Sequence, residues 1–260
     1  MNAREALGEA ERRLEAAGVE TPRVDAELLV AHVLGTSRSG VYARLDAEVD
    51  GALEPLLARR EQREPLAYVL GEWGFRRLTL RTDPRGLVPR PETEVVVDRA
   101  LALLAGTASP RVLDIGVGSG AIALALKDER SDAQVVGVDV SPDALALSRE
   151  NAERLGLDVE LREGGVGAAA EDWDLVVSNP PYVSSLEGLQ PELLHEPENA
   201  LIGEGFHETI ARVARTRFLV LEVGDGQADE VARALRAAGY EDVAITPDLA
   251  GVDRVVEGRR

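Results

Sequence analysis

Cysteine is absent from this sequence, which excludes a disulfide framework and a thiolate metal site, suits a reducing cytosol and leaves no metal to expect. Long apolar runs are also missing: nothing approaches the roughly 18 residues of a membrane span. Residues Met1 to Ala10 are polar and charged where a secretory signal would need an apolar stretch. A soluble, cytoplasmic protein is the expectation. Basic residues are in deficit, with 29 Lys and Arg against 47 Asp and Glu and a formal charge of -18. That charge opposes approach to a polyanion, so unspecific DNA or membrane-surface binding is disfavoured. No internal repeat is visible, and the one low-complexity stretch, Gly164 to Ala170, reads as a loop without function.

What is present is a chain of 260 residues, 45% hydrophobic, long enough for one large α/β core and a smaller accessory domain. From Ala3 to Arg63 the pattern is helical. Leu7, Ala10 and Leu14 share a face, Gly18 stands where a C-cap would stop the first helix, and Pro22 starts a second that ends near Gly35. Further helical stretches are expected at Gly40 to Leu45 and Leu53 to Arg63, making four short helices in a small bundle over residues 1–64. Residues 65–91 change character to short β-rich runs broken by Asp83-Pro84 and Gly86, a β-hairpin connector. Residues 92–260 alternate β-rich and helical runs, the pattern of a parallel sheet with crossover helices. The strands are expected at Arg111 to Ile115, Val135 to Val140, Val159 to Arg162, Asp174 to Ser178 and Phe218 to Val223, with a closing pair near Val243 to Thr246 and Arg254 to Glu257. The fold class is therefore α/β, a Rossmann-like doubly wound sheet with a small N-terminal helical domain.

The run Val112-Leu113-Asp114-Ile115-Gly116-Val117-Gly118-Ser119-Gly120 ends a strand and opens a helix. Gly116 permits the turn, Gly118 lets a ligand touch backbone, and Gly120 lets the helix pack closely. A tight connection with no ligand is the alternative reading of the glycines alone. Asp139, at the end of the next strand and nineteen positions after Gly120, narrows the choice, because an acidic side chain there can accept both hydroxyl hydrogens of a ribose. A plain N-cap role for Asp139 is the alternative, although Ser141 is the better cap for the helix that follows. The glycine spacing lacks the gap that the pyrophosphate fingerprint prefers, so a nucleoside without phosphates fits better than NAD. S-adenosylmethionine is such a nucleoside, and Gly116, Val117, Gly118, Ser119, Gly120, Asp139 and Asn179 are the candidate cofactor residues.

Ser178-Asn179-Pro180-Pro181-Tyr182 follows the apolar strand Leu175-Val176-Val177, at the ligand-binding edge of such a sheet. Pro180 and Pro181 remove backbone donors and hold the chain extended, so the Pro180 carbonyl can face a ligand. With the Asn179 side-chain oxygen it offers two acceptors, matching the two donors of an amide or amino NH2 and turning the nitrogen lone pair toward a methyl donor. Tyr182 can stack on a planar amide or base. Asn179, Pro180 and Tyr182 are thus the catalytic candidates, and Asn179, Pro180, Pro181 and Tyr182 the substrate-binding ones. A rigid surface turn is the competing reading.

These segments resemble the HemK/PrmC family, the release-factor glutamine N5-methyltransferases. The likeness runs nearly end to end. It takes in Asp114 to Gly120, Asn179 to Tyr182, Pro65 to Glu72, Pro89-Arg90-Pro91-Glu92-Thr93-Glu94, Asp139 to Ala144, Glu196-Pro197 and Asp248 to Gly251. The Asn-Pro-Pro-Tyr motif is shared with adenine and cytosine N-methyltransferases, whereas the helical N-terminus and the Arg-Pro-Glu-Thr-Glu segment mark the glutamine branch. The resemblance implies a class I methyltransferase domain over 92–260, S-adenosylmethionine as cofactor, and the glutamine of a Gly-Gly-Gln loop in peptide-chain release factors as acceptor. It also implies that the helical domain docks the release factor. A monomeric chain is expected, and the acidic charge points to no direct nucleic-acid or membrane contact. The chain departs from the family pattern at Glu163-Gly164-Gly165-Val166, at the shortened stretch around Ile202-Gly203-Glu204-Gly205-Phe206, and His195 is assigned no role. A DNA amino-group (adenine N6 or cytosine N4) methyltransferase and a non-catalytic S-adenosylmethionine-binding protein are the rival readings.

Overall fold

The computed structural model describes all 260 residues, which divide into two compact units: Met1–Glu72 with Leu189–His195, and Trp73–Gly188 with Glu196–Arg260. In the first, α1 (Ala3–Ala16) begins at a capping box, Asn2 and Glu5 each accepting the other's backbone N–H at 3.0 Å. It buries Ala6, Leu7, Ala10 and Leu14. After α2 (Pro22–Val33), α3 (Arg38–Tyr42) and α4 (Leu53–Glu61), the expected hairpin connector opens instead with a helical turn, α5 (Leu66–Leu70), stopped by Gly71 at φ 76. Pro65 starts that turn, and the run Leu66 to Val69 is buried on every side, which favours helix over an alternating strand. Residues 189–195 join this unit through Glu192, which accepts from Arg60 at 2.8 Å and from Arg63 at 2.6 and 2.7 Å, while Arg60 also holds Asp25 at 2.7 Å. Burial pushes the Glu192 carboxyl up, but the Arg63 and Arg60 bonds outweigh it and hold it at about 2.

The second unit contains a two-stranded sheet of β1 (Glu72–Phe75) and β2 (Leu78–Arg81), then α6 (Glu94–Leu103). The main elements are β3 (Arg111–Ile115), α7 (Ala121–Glu129), β4 (Gln134–Asp139), α8 (Pro142–Leu155), β5 (Glu160–Glu163) and β6 (Asp172–Ser178). They continue through α9 (Glu198–Leu201), α10 (Phe206–Val213), β7 (Arg215–Glu222), α11 (Ala228–Ala237), β8 (Glu241–Pro247) and β9 (Asp253–Arg259). The seven-stranded sheet has the order β5-β4-β3-β6-β7-β9-β8. The first five of these are parallel, and β9 runs antiparallel to both β7 and β8.

Because the central strands are covered on both faces, consecutive residues serve different cores. Val112, Val177 and Val220 pack with α6, α7 and α8, whereas Leu113, Val176 and Leu219 pack with α10 and α11. The order reverses at β3, whose continuation goes to β4 on one side and later to β6 on the other. A crevice therefore opens beyond the carboxyl ends of β3, β4 and β6, where open α/β sheets take their ligands.

Candidate active site

The turn after β3 is built by glycine. Gly116, Gly118 and Gly120 have φ of 74°, 54° and 90°, a region costly for other residues. Their surroundings differ. A Cβ on Gly120 would lie 2.7 Å from Leu124 and 2.8 Å from Ser148, so this glycine serves packing; one on Gly116 would meet nothing within 4 Å, because that backbone borders open space. Asp139, at the tip of β4, shapes the turn by accepting from the Gly118 amide at 3.0 Å through Oδ2 and from the Ser141 amide at 2.9 Å through Oδ1. Ser141 Oγ, not Asp139, caps α8, accepting from Ala144 at 3.2 Å. Beneath the turn Asp114 is fully buried; its Oδ2 accepts from the Ala123 amide at 3.1 Å and Oδ1 has no partner. Burial pushes its carboxyl up to about 7, with the Asp139 charge adding and the Ala123 bond opposing.

Ser178 Oγ donates to the Ile115 carbonyl at 2.7 Å, fastening the tip of β6 to that of β3. Asn179 follows, and its Nδ2 donates to Thr93 Oγ1 at 3.3 Å. Between these tips lies a cleft enclosing about 810 Å3 with its open mouth. Of the residues singled out from sequence, Gly116, Gly118, Asp139, Asn179, Pro180 and Pro181 line it. Val117, Ser119 and Gly120 are buried behind the turn instead. Tyr182 also stands outside the lining. Its ring packs on Gly224, where an added Cβ would come within 3.0 Å, its carbonyl accepts from Gln227 at 3.2 Å, and burial beside Glu222 pushes its hydroxyl up to about 12.

Sequence reasoning missed several contributors. Gly164, Gly165 and Val166, expected from composition to be a loop without function and noted only as a departure from the family pattern, line the cleft beside Val140. The shortened stretch brings Phe206 to the wall, and Gly203 is squeezed between the Phe206 ring and Pro181, to which an added Cβ would approach within 2.7 and 2.9 Å. Glu196, with no side-chain exposure, accepts from the Val88 amide at 3.0 Å and pairs with Arg90, fixing the segment that brings Gly86 and Leu87 to the cleft. Arg85 is a lining cation, but Asp83 at 2.8 Å and Glu150 at 2.7 Å occupy its guanidinium. Glu222, ending β7, is buried, and burial pushes its carboxyl up to about 7 against the Thr93 hydrogen bond and the Arg254 charge. A lone acid after four apolar residues at a strand's carboxyl end was the available signal for it.

Comparison with known proteins bears on this geometry. Residues 5–71 match the PrmC N-terminal domain and residues 94–223 the methyltransferase small domain. Among curated proteins, the release factor glutamine methyltransferase of Deinococcus radiodurans is 41% identical, covering 100% of this chain and 99% of that one. That of Geobacter sulfurreducens is 42% identical over 93% and 91% of the two chains, and that of Escherichia coli (strain K12) 36% over 97% of each. Among solved structures, the hMettl16 catalytic domain in complex with a MAT2A 3'UTR hairpin superposes with a TM-score of 0.59 at 17% identity, covering 78% of this chain and 80% of that one. A methyltransferase from Pyrococcus furiosus gives 0.51 at 18%, covering 69% and 87%. The structural likeness establishes the fold alone. Identity at this level over the full length, together with the two matched domains, establishes that the chain belongs to the release factor glutamine methyltransferase family.

Proposed function

We propose that this chain transfers the methyl group of S-adenosylmethionine to the side-chain amide nitrogen, N5, of the glutamine in the Gly-Gly-Gln loop of peptide-chain release factors. Placing Asn179, Pro180 and Pro181 in the same cleft as Asp139 and the Gly116–Gly118 backbone is the observation that carries the reading. The cleft suits a nucleoside without phosphates: Asp139 keeps lone pairs for a ribose beyond the two amides it binds, and Arg85, already paired, offers no free charge for a phosphate. Gly116, Gly118, Asp139 and the Gly164–Val166 segment would hold the cofactor. When bound it supplies a methyl carbon made electrophilic by a sulfonium.

The protein's part is then orientation. Asn179 gives its NH2 to Thr93, which leaves Oδ1 as the end of the amide free to accept from a substrate nitrogen. With the Pro180 carbonyl as second acceptor, both hydrogens of the glutamine NH2 are occupied and its lone pair is held toward the methyl group. Walls of Pro180, Pro181, Phe206 and Val166 keep water away. Tyr182, packed against Gly224, supports the turn from behind and is not needed as a stacking surface. The helical unit over residues 1–64 is the docking module. A monomer acting in the cytoplasm, without direct nucleic-acid or membrane contact, completes the reading; the charge of -18 supports it, and no helix is long and apolar enough to cross a membrane. Incubation with labelled S-adenosylmethionine and either a release factor or duplex DNA tests it. Label is expected in the release factor; efficient labelling of DNA instead would overturn the reading.

A further inference from the structure

Gln227 stands at the N-cap of α11, yet its side chain makes no capping bond. Serine, threonine, aspartate or asparagine would serve the helix better there. The amide is committed elsewhere: Oε1 accepts from the Gly224 amide at 3.0 Å and Nε2 donates to the Tyr182 carbonyl at 3.2 Å. Its orientation is fixed by these partners, because a backbone N–H needs an acceptor and a carbonyl needs a donor. The Gln227 amide also donates to the Gly224 carbonyl at 3.1 Å, so the turn just after β7 closes on itself. Gly224 is buried and has no room for a side chain: a Cβ would lie 2.9 Å from Gln227 Oε1 and 3.0 Å from the Tyr182 ring. The segment Asn179 to Tyr182, which follows β6, is thus met at its far end by a side-chain amide reaching across from beyond the neighbouring strand, β7.

We infer that Gln227 is a positioning residue for methyl transfer, holding the Tyr182 carbonyl so that Asn179 and the Pro180 carbonyl keep their direction toward the substrate nitrogen. Each proline ring fixes φ at about −65°, and a following proline holds both Asn179 and Pro180 extended. The segment therefore moves as a stiff rod whose direction is set at its two ends. Neither proline has an N–H with which to anchor the middle. At the first end, β6 is paired with β3 and β7, and Ser178 is fastened to the Ile115 carbonyl. At the second, Gln227 takes the Tyr182 carbonyl. Val183 continues the fastening, donating to the Leu201 carbonyl at 3.0 Å and accepting from Gly203 at 3.1 Å. Those partners belong to a single helical turn and the loop after it, however, whereas Gly224 follows the buried strand β7. Releasing the Gln227 bond lets the rod swing, and the two acceptors lose register with an NH2 that needs both. An error of about 1 Å in such placement costs on the order of 100-fold in rate.

This inference rests on the proposed glutamine methylation, and its test separates the two. In the full chain, Gln227→Met keeps the length and removes both amide bonds. Gln227→Glu, assayed at about pH 8 where a carboxyl is ionised, keeps an acceptor for Gly224 but sets an oxygen against the Tyr182 carbonyl. Methylation of a release factor is expected to lose about 10- to 100-fold in kcat in both variants, while KM for the release factor and S-adenosylmethionine affinity stay within about threefold. If Gln227 merely closed the turn before α11, Gln227→Glu would keep the parental kcat, and that result would overturn the inference. Cofactor affinity falling in step with kcat would overturn it too. Should Gln227→Met fold poorly, Gln227→Glu alone decides. The second readout needs no substrate: followed by NMR, the Asn179 side-chain amide protons should shift in both variants, whereas the Gly224 amide should stay protected from exchange in Gln227→Glu and lose protection in Gln227→Met. Unchanged Asn179 signals in both variants would contradict the positioning role. Should the parent chain not methylate the release factor, the functional reading fails while the NMR comparison still decides whether Gln227 sets the Asn179 segment.

Discussion

Replacing Asp139 by alanine separates two tasks that one carboxylate performs. Within the protein it accepts from the amides of Gly118 at 3.0 Å and Ser141 at 2.9 Å. Charge-assisted bonds of this kind are each worth roughly 1.5–3 kcal/mol before water replaces them. Asp139 and Gly118 are only half-buried, so water reaches the freed amides and the net cost to folding should be about 1–2 kcal/mol. Toward the cofactor the loss is larger in effect, because two further bonds to the ribose hydroxyls disappear from a cleft lined largely by apolar side chains and glycine backbone. A gross loss of about 3–6 kcal/mol corresponds to two to four orders of magnitude in Kd. Asp139→Asn, retaining one acceptor oxygen and no charge, should fall between. Titration calorimetry with S-adenosylmethionine reads the affinity, and a thermal melt without cofactor reads the turn. Affinity unchanged in Asp139→Ala, with a lowered melting temperature, would show that Asp139 only clasps the turn and would remove it from the cofactor site.

Asn179→Ala should lower the methylation rate by about two to four orders of magnitude, with a much smaller change in cofactor affinity, because an acceptor is lost from a desolvated pocket. Asn179→Asp, measured in the same assay, should keep partial activity. Gly120→Ala should destabilise the fold by at least about 1–3 kcal/mol, since the methyl group would press on Leu124 and Ser148 at a positive φ. Gly116→Ala, whose methyl group meets nothing within 4 Å, should cost the fold only the backbone strain of about 1–2 kcal/mol at its positive φ, while also weakening cofactor binding. Asp114, pushed up to about 7 by burial from a reference of 3.8, binds its proton more tightly folded than unfolded. Stability contributed by its protonated form is therefore lost as pH rises from about 4 through about 7. Denaturant melts of the cofactor-free protein at pH 5 and pH 8 should differ less for Asp114→Asn than for the parent.

The parts of the site that could be read from sequence are those in which local chain geometry carries the function. Gly116, Gly118 and Asp139 announce themselves because a strand-to-helix turn needs positive φ and a strand tip needs no acid for packing. Asn179-Pro180-Pro181 stands out because prolines directly after a buried strand fix the backbone. Within the same turn, however, Val117, Ser119 and Gly120 point into the protein, and which member of a tight turn faces out depends on dihedral angles that composition does not reveal. Gly164 and Gly165 stood out only as a departure from the family pattern, because a wall made of backbone has no chemistry of its own to read. Thr93, Glu196 and Glu222 come from distant parts of the chain and acquire meaning only from strand pairing and loop packing. The central strands of the parallel sheet were legible from their apolar runs, whereas the edge strand β5, Glu160–Glu163, has none and α5 was hidden in a segment rich in aromatic and β-branched residues. The return of residues 189–195 to the helical unit depends on Glu192 meeting Arg60 and Arg63, a tertiary pairing with no local signature.

The account stands or falls on the atom that receives the methyl group. The parent chain, S-adenosylmethionine and a purified release factor should be incubated, the release factor digested, and its peptides mapped by mass spectrometry with fragmentation across the Gly-Gly-Gln segment. A single added methyl on the side chain of that glutamine, absent when Asn179→Ala replaces the parent, is the predicted result. A methyl group on any other residue, or none at all from a chain shown by calorimetry to bind the cofactor, would contradict it.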